Sequence, residues 1–289
     1  PTELPRIGPL GLTPEQRDVL LAATAKPQGL ILFTGPTGSG KTNSQYAAIG
    51  EGVDSDRNVI TLEDPVEIEL PGTTQVPIDE KSGVSFARGL RAALRQDPDV
   101  ILVGEIRDQE TAQLAVRAAI TGHLVLSTLH TLDAAAAVNR LVDMGVPPYL
   151  VTSSLSLVAS QRLVRVPCQD CSAADEPEPA LLAELGLRPE DGAWVRAVGC
   201  HLCNDTGYLG RTAVMELLTV GPEVREVLLA GGDEDDVRHA ARAAGTTSLF
   251  DRALALAREG RTTLAEVIRA VPQDPASRAG RSTGTEADL

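Results

Sequence analysis

A glycine-rich segment near the amino end constrains the fold of this chain more than any other feature. It reads Gly-Pro-Thr-Gly-Ser-Gly-Lys-Thr from Gly35 to Thr42 and matches the pattern G-x-x-x-x-G-K-[S/T]. The apolar run Leu30–Thr34 precedes it and the helical stretch Lys41–Gly50 follows it. A strand, a glycine-rich turn and a helix start together form a phosphate-binding loop, whose backbone N–H groups point at phosphate oxygens. An ordinary glycine-rich turn is the alternative, and the flanking strand and helix argue against it.

The motif assigns nucleotide contacts to all of its residues. Lys41 would neutralise the β- and γ-phosphates, and Thr42 would offer its hydroxyl to Mg²⁺. The predicted nucleotide-binding residues are Gly35, Pro36, Thr37, Gly38, Ser39, Gly40, Lys41 and Thr42.

Apolar runs alternate with helical stretches through the first half of the chain. The predicted strands are Leu30–Thr34, Asn58–Leu62, Val100–Val103 and Leu124–Thr128. The predicted helices are Lys41–Gly50, Val84–Arg95, Gln109–Ile120 and Asp133–Met144. Crossover helices between buried strands produce parallel neighbours, so the alternation predicts an α/β fold with a mostly parallel sheet covered on both faces.

The second half reads as helices separated by a loop-rich region. A helix is expected from Tyr149 to Leu163, and closing helices are expected at Pro222–Leu229, Glu234–Ala244, Ser248–Arg258 and Thr263–Ala270. We divide the chain into a core (1–166), a cysteine-containing insert (167–210), a C-terminal strand and helical subdomain (211–271) and a disordered tail (272–289). Pro1–Gly11 reads as a linker, and its abrupt start suggests a piece of a longer protein.

Charge and hydropathy bound the partners and the compartment. The 289 residues carry a formal net charge of −14, which disfavours nonspecific binding of nucleic acid and nucleic-acid translocation. No apolar run reaches the roughly 18 residues that a membrane span requires, and no signal region begins the chain. We expect a cytoplasmic chain with no nucleic-acid partner. Any association with a membrane would be made through another protein.

All four cysteines fall in two C-x-x-C pairs. Cys168 and Cys171 form the first pair, and Cys200 and Cys203 form the second. Two such pairs can place four thiolates on one zinc ion, and closed four-sulfur coordination makes the metal structural. Disulfides would need an oxidising compartment, which does not suit a nucleotide-binding chain, and reduced free cysteines are the remaining alternative.

Two of the predicted strands end in acidic residues. Glu63 follows the strand Asn58–Leu62, and Glu105 follows Val100–Val103 after Gly104. The carboxyl ends of parallel strands line the crevice that also holds the phosphate-binding loop. Glu105 is our first choice for the carboxylate that polarises water beside the metal, and Glu63 is the second. Solvated acids at strand ends are the alternative.

Four motifs in this order resemble the secretion ATPase superfamily, and specifically the ATPases of type II secretion and type IV pilus assembly. After the phosphate-binding loop, Glu63–Glu67 resembles the family's acidic box, and Leu94–Asp99 running into Gly104–Asp108 resembles its metal-binding strand. Thr121–Thr131 resembles its histidine box. The similarity extends to about Val271. One departure is Asn43-Ser44-Gln45-Tyr46, where family members commonly have Thr-x-Leu-Tyr after the loop's threonine.

The resemblance implies a RecA-like P-loop ATPase core, a zinc-binding tetracysteine insert and a C-terminal helical subdomain. It implies a hexameric motor that hydrolyses ATP with Mg²⁺, carries structural Zn²⁺ and powers pilus or pseudopilus assembly or protein secretion. Its partners would be other copies of itself, an inner-membrane platform protein and other components at the inner face of the cytoplasmic membrane. A retraction or conjugation-type motor, or a nucleotide-gated docking module with little turnover, are the alternatives.

The resemblance also gives roles to histidines and arginines. His130 would sense the γ-phosphate, and His123 would support the end of its strand. Arginines could offset charge at the γ-phosphate or form surface ion pairs, and the resemblance places important ones in an N-terminal domain that this chain does not contain. The candidates within the chain are Arg91, Arg95, Arg107 and Arg140.

Overall fold

A seven-stranded sheet forms the centre of the computed structural model, which describes residues 4–273. The strands are β1 (Gly29–Thr34), β2 (Val59–Glu63), β3 (Thr73–Pro77), β4 (Val100–Val103), β5 (Leu124–Leu129), β6 (Leu155–Pro167), β7 (Ala173–Ala174), β8 (Val195–Arg196) and β9 (Tyr208–Thr219). Their order in the sheet is β3-β2-β4-β5-β1-β6-β9, and β7 and β8 form a separate antiparallel pair. The neighbours from β3 through to β6 run parallel. The mostly parallel α/β fold expected from the sequence is confirmed.

Helices connect the parallel strands, as crossovers between them require. They are α1 (Pro14–Thr24), α2 (Lys41–Gly52), α3 (Phe86–Ala93), α4 (Gln109–Ile120), α5 (Ala134–Asp143), α6 (Pro148–Ser154), α7 (Pro179–Glu184), α8 (Pro222–Leu229), α9 (Glu234–Ala243), α10 (Leu249–Arg258) and α11 (Leu264–Ala270). Several begin at side-chain caps: the hydroxyl of Thr13 caps α1, and the carboxylates of Asp108 and Asp133 cap α4 and α5.

The expected helix from Tyr149 to Leu163 is wrong. The helix there, α6, ends at Ser154, and the chain continues as β6, which pairs in parallel with β1. Leu, Ala, Ser and Gln in this stretch are compatible with a helix, but the open edge of β1 offers a row of backbone partners for a strand. Tertiary hydrogen bonding therefore overrides local propensity here.

Alternate residues of the central strands serve two packed faces. Leu30 and Leu32 of β1 pack into a large apolar cluster with residues of α3, α4, α5, α8 and α9. Ile31 and Phe33, which alternate with them, are fully buried on the opposite face of the strand, where α2 contacts β1. Burial on both faces is what continuous apolar runs predict for parallel strands.

The chain divides into two compact units. The first comprises Pro1–Gln161 and Glu216–Thr246, and the second comprises Arg162–Met215 and Thr247–Leu289. The second unit has its own apolar core around Trp194, Phe250 and Val267. Within residues 4–273, no helix is long and apolar enough to cross a membrane. Most of the tail expected to be disordered, residues 274–289, lies outside the described residues.

Candidate nucleotide site and cysteine cluster

The glycine-rich loop lies between β1 and α2, as the motif predicts. Gly38 and Gly40 have φ angles of 77° and 86°, a left-handed conformation that favours glycine. Gly40 is also the N-cap of α2 and gives it no side-chain cap, which leaves the helix start suited to an anion. The hydroxyl of Ser39 is buried and has no hydrogen-bond partner among the described residues. These features of the loop fit the phosphates of a nucleotide.

Lys41 and Thr42 face the loop and the acidic segment beside it. The Lys41 Nζ donates to the carbonyl oxygens of Gly35 at 2.8 Å and Pro36 at 3.1 Å. The Thr42 Oγ1 lies 3.5 Å from Oε1 of Glu67. The ammonium group and the hydroxyl group expected to contact phosphate and Mg²⁺ are therefore at the mouth of the loop.

Gln161 supports the loop from β6, and our sequence reasoning missed it. Its Nε2 donates to the carbonyl oxygen of Ser39 at 2.7 Å, and its Oε1 accepts from the Ser44 hydroxyl at 2.7 Å. Gln161 and Ser44 are both buried, so these bonds fix the loop against the first turn of α2. A polar glutamine within an apolar run could have indicated this role. We assigned the run to a helix, however, and a helix does not bring Gln161 to the loop.

The neighbouring strands bring Glu105 and His130 to the same edge of the sheet. Glu105 lies just beyond β4 and His130 just beyond β5, and these strands are adjacent and parallel. The His130 Nε2 is 3.6 Å from Glu105 Oε2, and the Arg107 Nη2 is 2.5 Å from Glu105 Oε1. Glu105 thus has one carboxylate oxygen towards each of two basic side chains, and its side chain is 19% exposed.

Gly104 separates the end of β4 from Glu105 and packs closely against its neighbours. A Cβ at Gly104 would lie 3.0 Å from the carbonyl oxygen of Leu62 and 3.2 Å from the ring of Phe86. A larger residue there would need Leu62 or Phe86 to move by a few tenths of an ångström. This close packing favours glycine at position 104, and the carboxylate at this strand end is that of the next residue, Glu105.

Glu63 lies at the end of β2 but is enclosed. It is 4% exposed and accepts from Thr61 Oγ1 at 2.5 Å, from Gln75 Nε2 at 3.1 Å and from the Tyr46 hydroxyl. Burial and the adjacent Glu63 carboxylate raise the pKa of Tyr46, so this hydroxyl remains a donor. Both Glu63 oxygens are engaged in tying α2 to β2 and β3.

The other predicted basic residues are less well placed. His123 precedes β5 and contacts the carbonyl oxygen of Ala118 at 3.0 Å, at the opposite end of the strand from His130. Six residues of strand separate the two histidines by about 20 Å. Arg91 pairs with Glu110. Arg140 lies in the last turn of α5, at the opposite end of that helix from His130, which precedes its first turn. The structure brings His130 to the loop edge and leaves His123 away from it.

The four cysteines converge in the second unit. Their sulfur atoms all lie within 4.8 Å of one another. The Sγ–Sγ distance is 3.9 Å from Cys168 to Cys200 and 3.8 Å both from Cys171 to Cys203 and from Cys200 to Cys203. Sulfurs that share one tetrahedral zinc lie about 3.8 Å apart, because each Zn–S bond is about 2.3 Å long. The cluster fits a zinc ion, and all four thiols are free of disulfides.

Backbone N–H groups surround the sulfurs. Gly199 N–H donates to Cys171 Sγ at 3.3 Å, and Cys200 and Gly207 N–H groups donate to Cys203 Sγ at 3.2 Å each. Burial raises the pKa of Cys203, but hydrogen bonds from the N–H groups of Cys200 and Gly207 and from the neighbouring Cys200 and Cys171 thiols outweigh it and lower the pKa to about 7. Gly207 has a φ of 74° and a Cβ there would lie 2.6 Å from that of Ala197, so the knuckle requires glycine. Such N–H donors suit thiolate ligands.

His201 lies inside the second knuckle and is exposed, and it does not belong to the sulfur cluster.

The family model and the similar proteins all belong to secretion or pilus systems. Residues 2–269 match the family model described as "Type II/IV secretion system protein". The chain is 48% identical over 264 residues to the type II secretion system protein HxcR of Pseudomonas aeruginosa, covering 91% of this chain and 53% of that protein. It is 45% identical over 270 residues to the type IV pilus assembly ATPase PilB of Thermus thermophilus, covering 92% of this chain and 30% of that protein.

Solved structures agree with these relatives. The pilus retraction motor PilT with bound ADP is similar with a TM-score of 0.69 and 29% identity, over 96% of this chain and 69% of that one. The Legionella pneumophila ATPase DotB is similar with a TM-score of 0.66 and 27% identity, over 92% of this chain and 65% of that one. The chain spans about half the length of the type II relatives that it matches.

Proposed function

The chain belongs to the type II/IV secretion system protein family, and from that premise we propose that it is the ATP-hydrolysing part of a motor for secretion or pilus assembly. One observation carries the proposal: the phosphate-binding loop, Glu105 and His130 lie on the carboxyl ends of three adjacent parallel strands. Ligands of open α/β sheets bind at this edge.

In the proposed reaction, water attacks the γ-phosphorus of ATP and the bond to the β,γ-bridging oxygen breaks. Lys41 and the loop N–H groups bind the phosphates and offset the charge that develops on them. Glu105 orients the water and accepts its proton, and Arg107 holds one oxygen of that carboxylate in place. His130, whose Nε2 is 3.6 Å from the other oxygen, would respond to contact with the γ-phosphate.

Two metal ions belong to this proposal. Mg²⁺ would supply positive charge at the phosphates, and Thr42 would hold it, with Glu67 near the threonine hydroxyl. Glu63 is a weaker candidate for contact with water or metal, because three donors occupy its carboxylate. Zinc would be held by Cys168, Cys171, Cys200 and Cys203, and its role would be to fix the fold of the insert.

The mechanical output that we propose is extension or secretion. Identity to the secretion and pilus assembly relatives is 45–48%, against 29% to the retraction motor PilT. A ring of six subunits at the inner face of the cytoplasmic membrane would pass the work of hydrolysis to an inner-membrane platform protein. Nucleic acid would not be a substrate, given the net charge of −14.

Lys41→Ala tests the assignment of the loop. We expect this variant to lose ATP hydrolysis, because the charge that faces the β- and γ-phosphates is gone, while circular dichroism and melting temperature stay close to wild type. Lys26→Ala is the matched control, since Lys26 is exposed and precedes β1 at the other end of that strand. Wild-type turnover by Lys41→Ala would refute the proposal.

A further inference from the structure

Arg238 is a nearly buried cation on α9, outside the segments that form the nucleotide site. Its side chain is 10% exposed, and its Nη2 donates to Oδ2 of Asp133 at 2.8 Å. Within its own helix it also pairs with Glu234 at 2.5 Å and with Asp235. A guanidinium removed from water and bound to several carboxylates has little freedom to move. Arg238 therefore fixes α9 to Asp133.

Asp133 uses its two carboxylate oxygens for two different helices. Oδ1 accepts from the N–H of Ala136 at 2.8 Å and caps α5, while Oδ2 accepts from Arg238. Asp133 follows His130 by three positions, at the end of the turn that joins β5 to α5. The residue that Arg238 holds is thus the anchor of the turn that carries His130.

Thr131 continues the hydrogen bonds to the phosphate-binding loop. Its Oγ1 donates to the carbonyl oxygen of Asp133 at 3.0 Å and lies 2.6 Å from Oγ1 of Thr34. Its N–H donates to the same Thr34 oxygen at 3.0 Å. If the Thr34 hydroxyl donates to Thr131 Oγ1, both threonine hydroxyls and the Thr131 N–H have a hydrogen-bond partner. Thr34 is buried and immediately precedes Gly35, the first residue of the loop.

We propose that Arg238 is a positioning residue of the nucleotide site, and that nucleotide binding is coupled to α9 through Asp133, Thr131 and Thr34. The inference rests on the proposed function, because it takes the loop to bind nucleotide. Without the guanidinium, the carboxylate of Asp133 would face those of Glu234 and Asp235 with no cation between them. Neighbouring carboxylates with no cation between them repel one another. The cap of α5 and the turn after β5 would then loosen.

Thermodynamic reciprocity gives this coupling two observable sides. If Arg238 improves nucleotide affinity by some factor, bound nucleotide must stabilise the Arg238–Asp133 contact by the same factor. The helix α9 contacts both α5 and α8, and its residues Val237 and Ala241 are part of the apolar core of the first unit. We therefore expect a change at the nucleotide site to alter the packing of α9 against α5 and α8.

Titration calorimetry with MgADP on the 289-residue chain tests the affinity side. We expect Arg238→Gln and Asp133→Asn each to weaken MgADP binding by roughly 5- to 10-fold, and the double variant to be no weaker than either one. Asn keeps an N-cap acceptor, so Asp133→Asn separates the lost ion pair from a lost cap. Arg238→Lys should restore part of the affinity. Arg225→Gln, at an exposed position of α8, is the matched control.

Hydrogen exchange tests the other side. We expect MgADP to slow amide exchange in α9 of the wild type and of Arg225→Gln, but not in Arg238→Gln. A merely structural arginine would lower the melting temperature and leave affinity and this protection unchanged, which would overturn the inference. If Arg238→Gln does not fold, Asp133→Asn decides by the same two readouts. If the wild type itself binds no MgADP, the proposed function fails instead.

Discussion

At the scale of single residues, Glu105 and Glu63 follow neighbouring parallel strands but differ in their surroundings. Glu105 is partly exposed between Arg107 and His130, so its carboxylate can reach a water molecule at the sheet edge. Glu63 is 4% exposed and saturated by hydrogen-bond donors. A carboxylate in that position can act on water only by giving up existing bonds, which favours Glu105 as the base.

Substituting each of the two acids with glutamine should separate their roles. We expect Glu105→Gln to lower ATP turnover by about 100-fold or more while nucleotide affinity and melting temperature stay near wild type, because the amide keeps the shape and loses the base. Glu63→Gln should damage turnover as well and lower stability by about 1–3 kcal/mol, since its NH₂ group would face donors in place of an acceptor.

Glu223→Gln, on the exposed start of α8, is the control for both glutamine variants. Turnover, MgADP affinity and thermal melting would be measured in parallel. Should Glu63→Gln alone abolish catalysis without loss of stability, the order of the two acids would have to be reversed.

At the scale of elements, the two cysteine knuckles are short turns that have little apolar core of their own. Their four sulfurs converge at metal-binding spacing, and N–H groups of Gly199 and Gly207 point at two of them. We expect elemental analysis to find one zinc per chain. Removing it with a strong chelator should speed amide exchange in 167–210, first at Gly199 and Gly207, before exchange changes in β1 or α2.

Two experimental outcomes would contradict the zinc assignment. One is a disulfide between Cys168 and Cys171, or between Cys200 and Cys203, in protein isolated from cytosol. The other is amide exchange in 167–210 that stays unchanged after all zinc has been removed by the chelator. Ser172→Ala, next to the first knuckle, is a control that leaves the four sulfurs in place.

The helix α11 carries the buried carboxylate of the second unit. Glu266 is fully buried and accepts from Arg165 at 2.7 Å and from Arg269 at 2.7 Å. Burial raises its pKa, but the hydrogen bonds from Arg269 and Arg165 outweigh that and lower it to about 2. A depressed folded-state pKa adds stability above the unfolded value, from 4.5 upwards, and this stability is lost as pH falls from there towards 2.

Acid denaturation of the second unit should follow this carboxylate. Trp194, the one tryptophan of the chain, lies in the core of that unit and reports its unfolding by fluorescence. We expect the wild type to lose about 2–3 kcal/mol of this unit's stability between pH 5 and pH 2 through Glu266. Glu266→Gln should be less stable at pH 7 and show a flatter pH dependence, whereas the exposed Glu259→Gln should match the wild type. Identical pH curves for Glu266→Gln and wild type would contradict the prediction.

At the scale of the whole molecule, the residues that we propose to bind nucleotide lie within Gly35–His130, so we expect a single chain to bind it. Arg107, which lies beside the proposed site, already pairs with Glu105, and Arg91 pairs with Glu110. We therefore expect the charge that develops on the γ-phosphate to be offset by arginines from elsewhere, and a missing arginine of this kind costs on the order of 10³-fold in comparable enzymes.

We expect these 289 residues alone to bind MgATP, to turn it over slowly and to sediment mainly as small species. Sedimentation velocity and steady-state phosphate release over a range of protein concentrations would measure this. Fusing the N-terminal half of a type II relative to these residues should raise turnover strongly, if that half supplies the arginines. A stable and fully active hexamer of the 289 residues would exclude any need for arginines from another domain.

Much of the nucleotide site was predictable because its signals are local in the chain. The loop Gly35–Thr42, the acids at two strand ends and the two C-x-x-C pairs are short patterns whose chemistry depends on spacing, and the parallel sheet follows from alternating apolar and helical runs. The family resemblance rested on the same patterns. None of these needed knowledge of distant contacts.

Tertiary structure alone decided what depends on partners far along the chain. Leu155–Pro167 became a strand because β1 offered backbone partners, and that placed Gln161 against Ser39, 122 positions earlier. Glu63 and Glu105 look alike in sequence, yet Tyr46 and Gln75 enclose only the first. Arg238 donates a hydrogen bond to Asp133, which lies 105 positions earlier in the chain. Local sequence sets propensity and spacing, whereas burial and hydrogen-bond partners are set by the packed chain, where long-range contacts outweigh local preference.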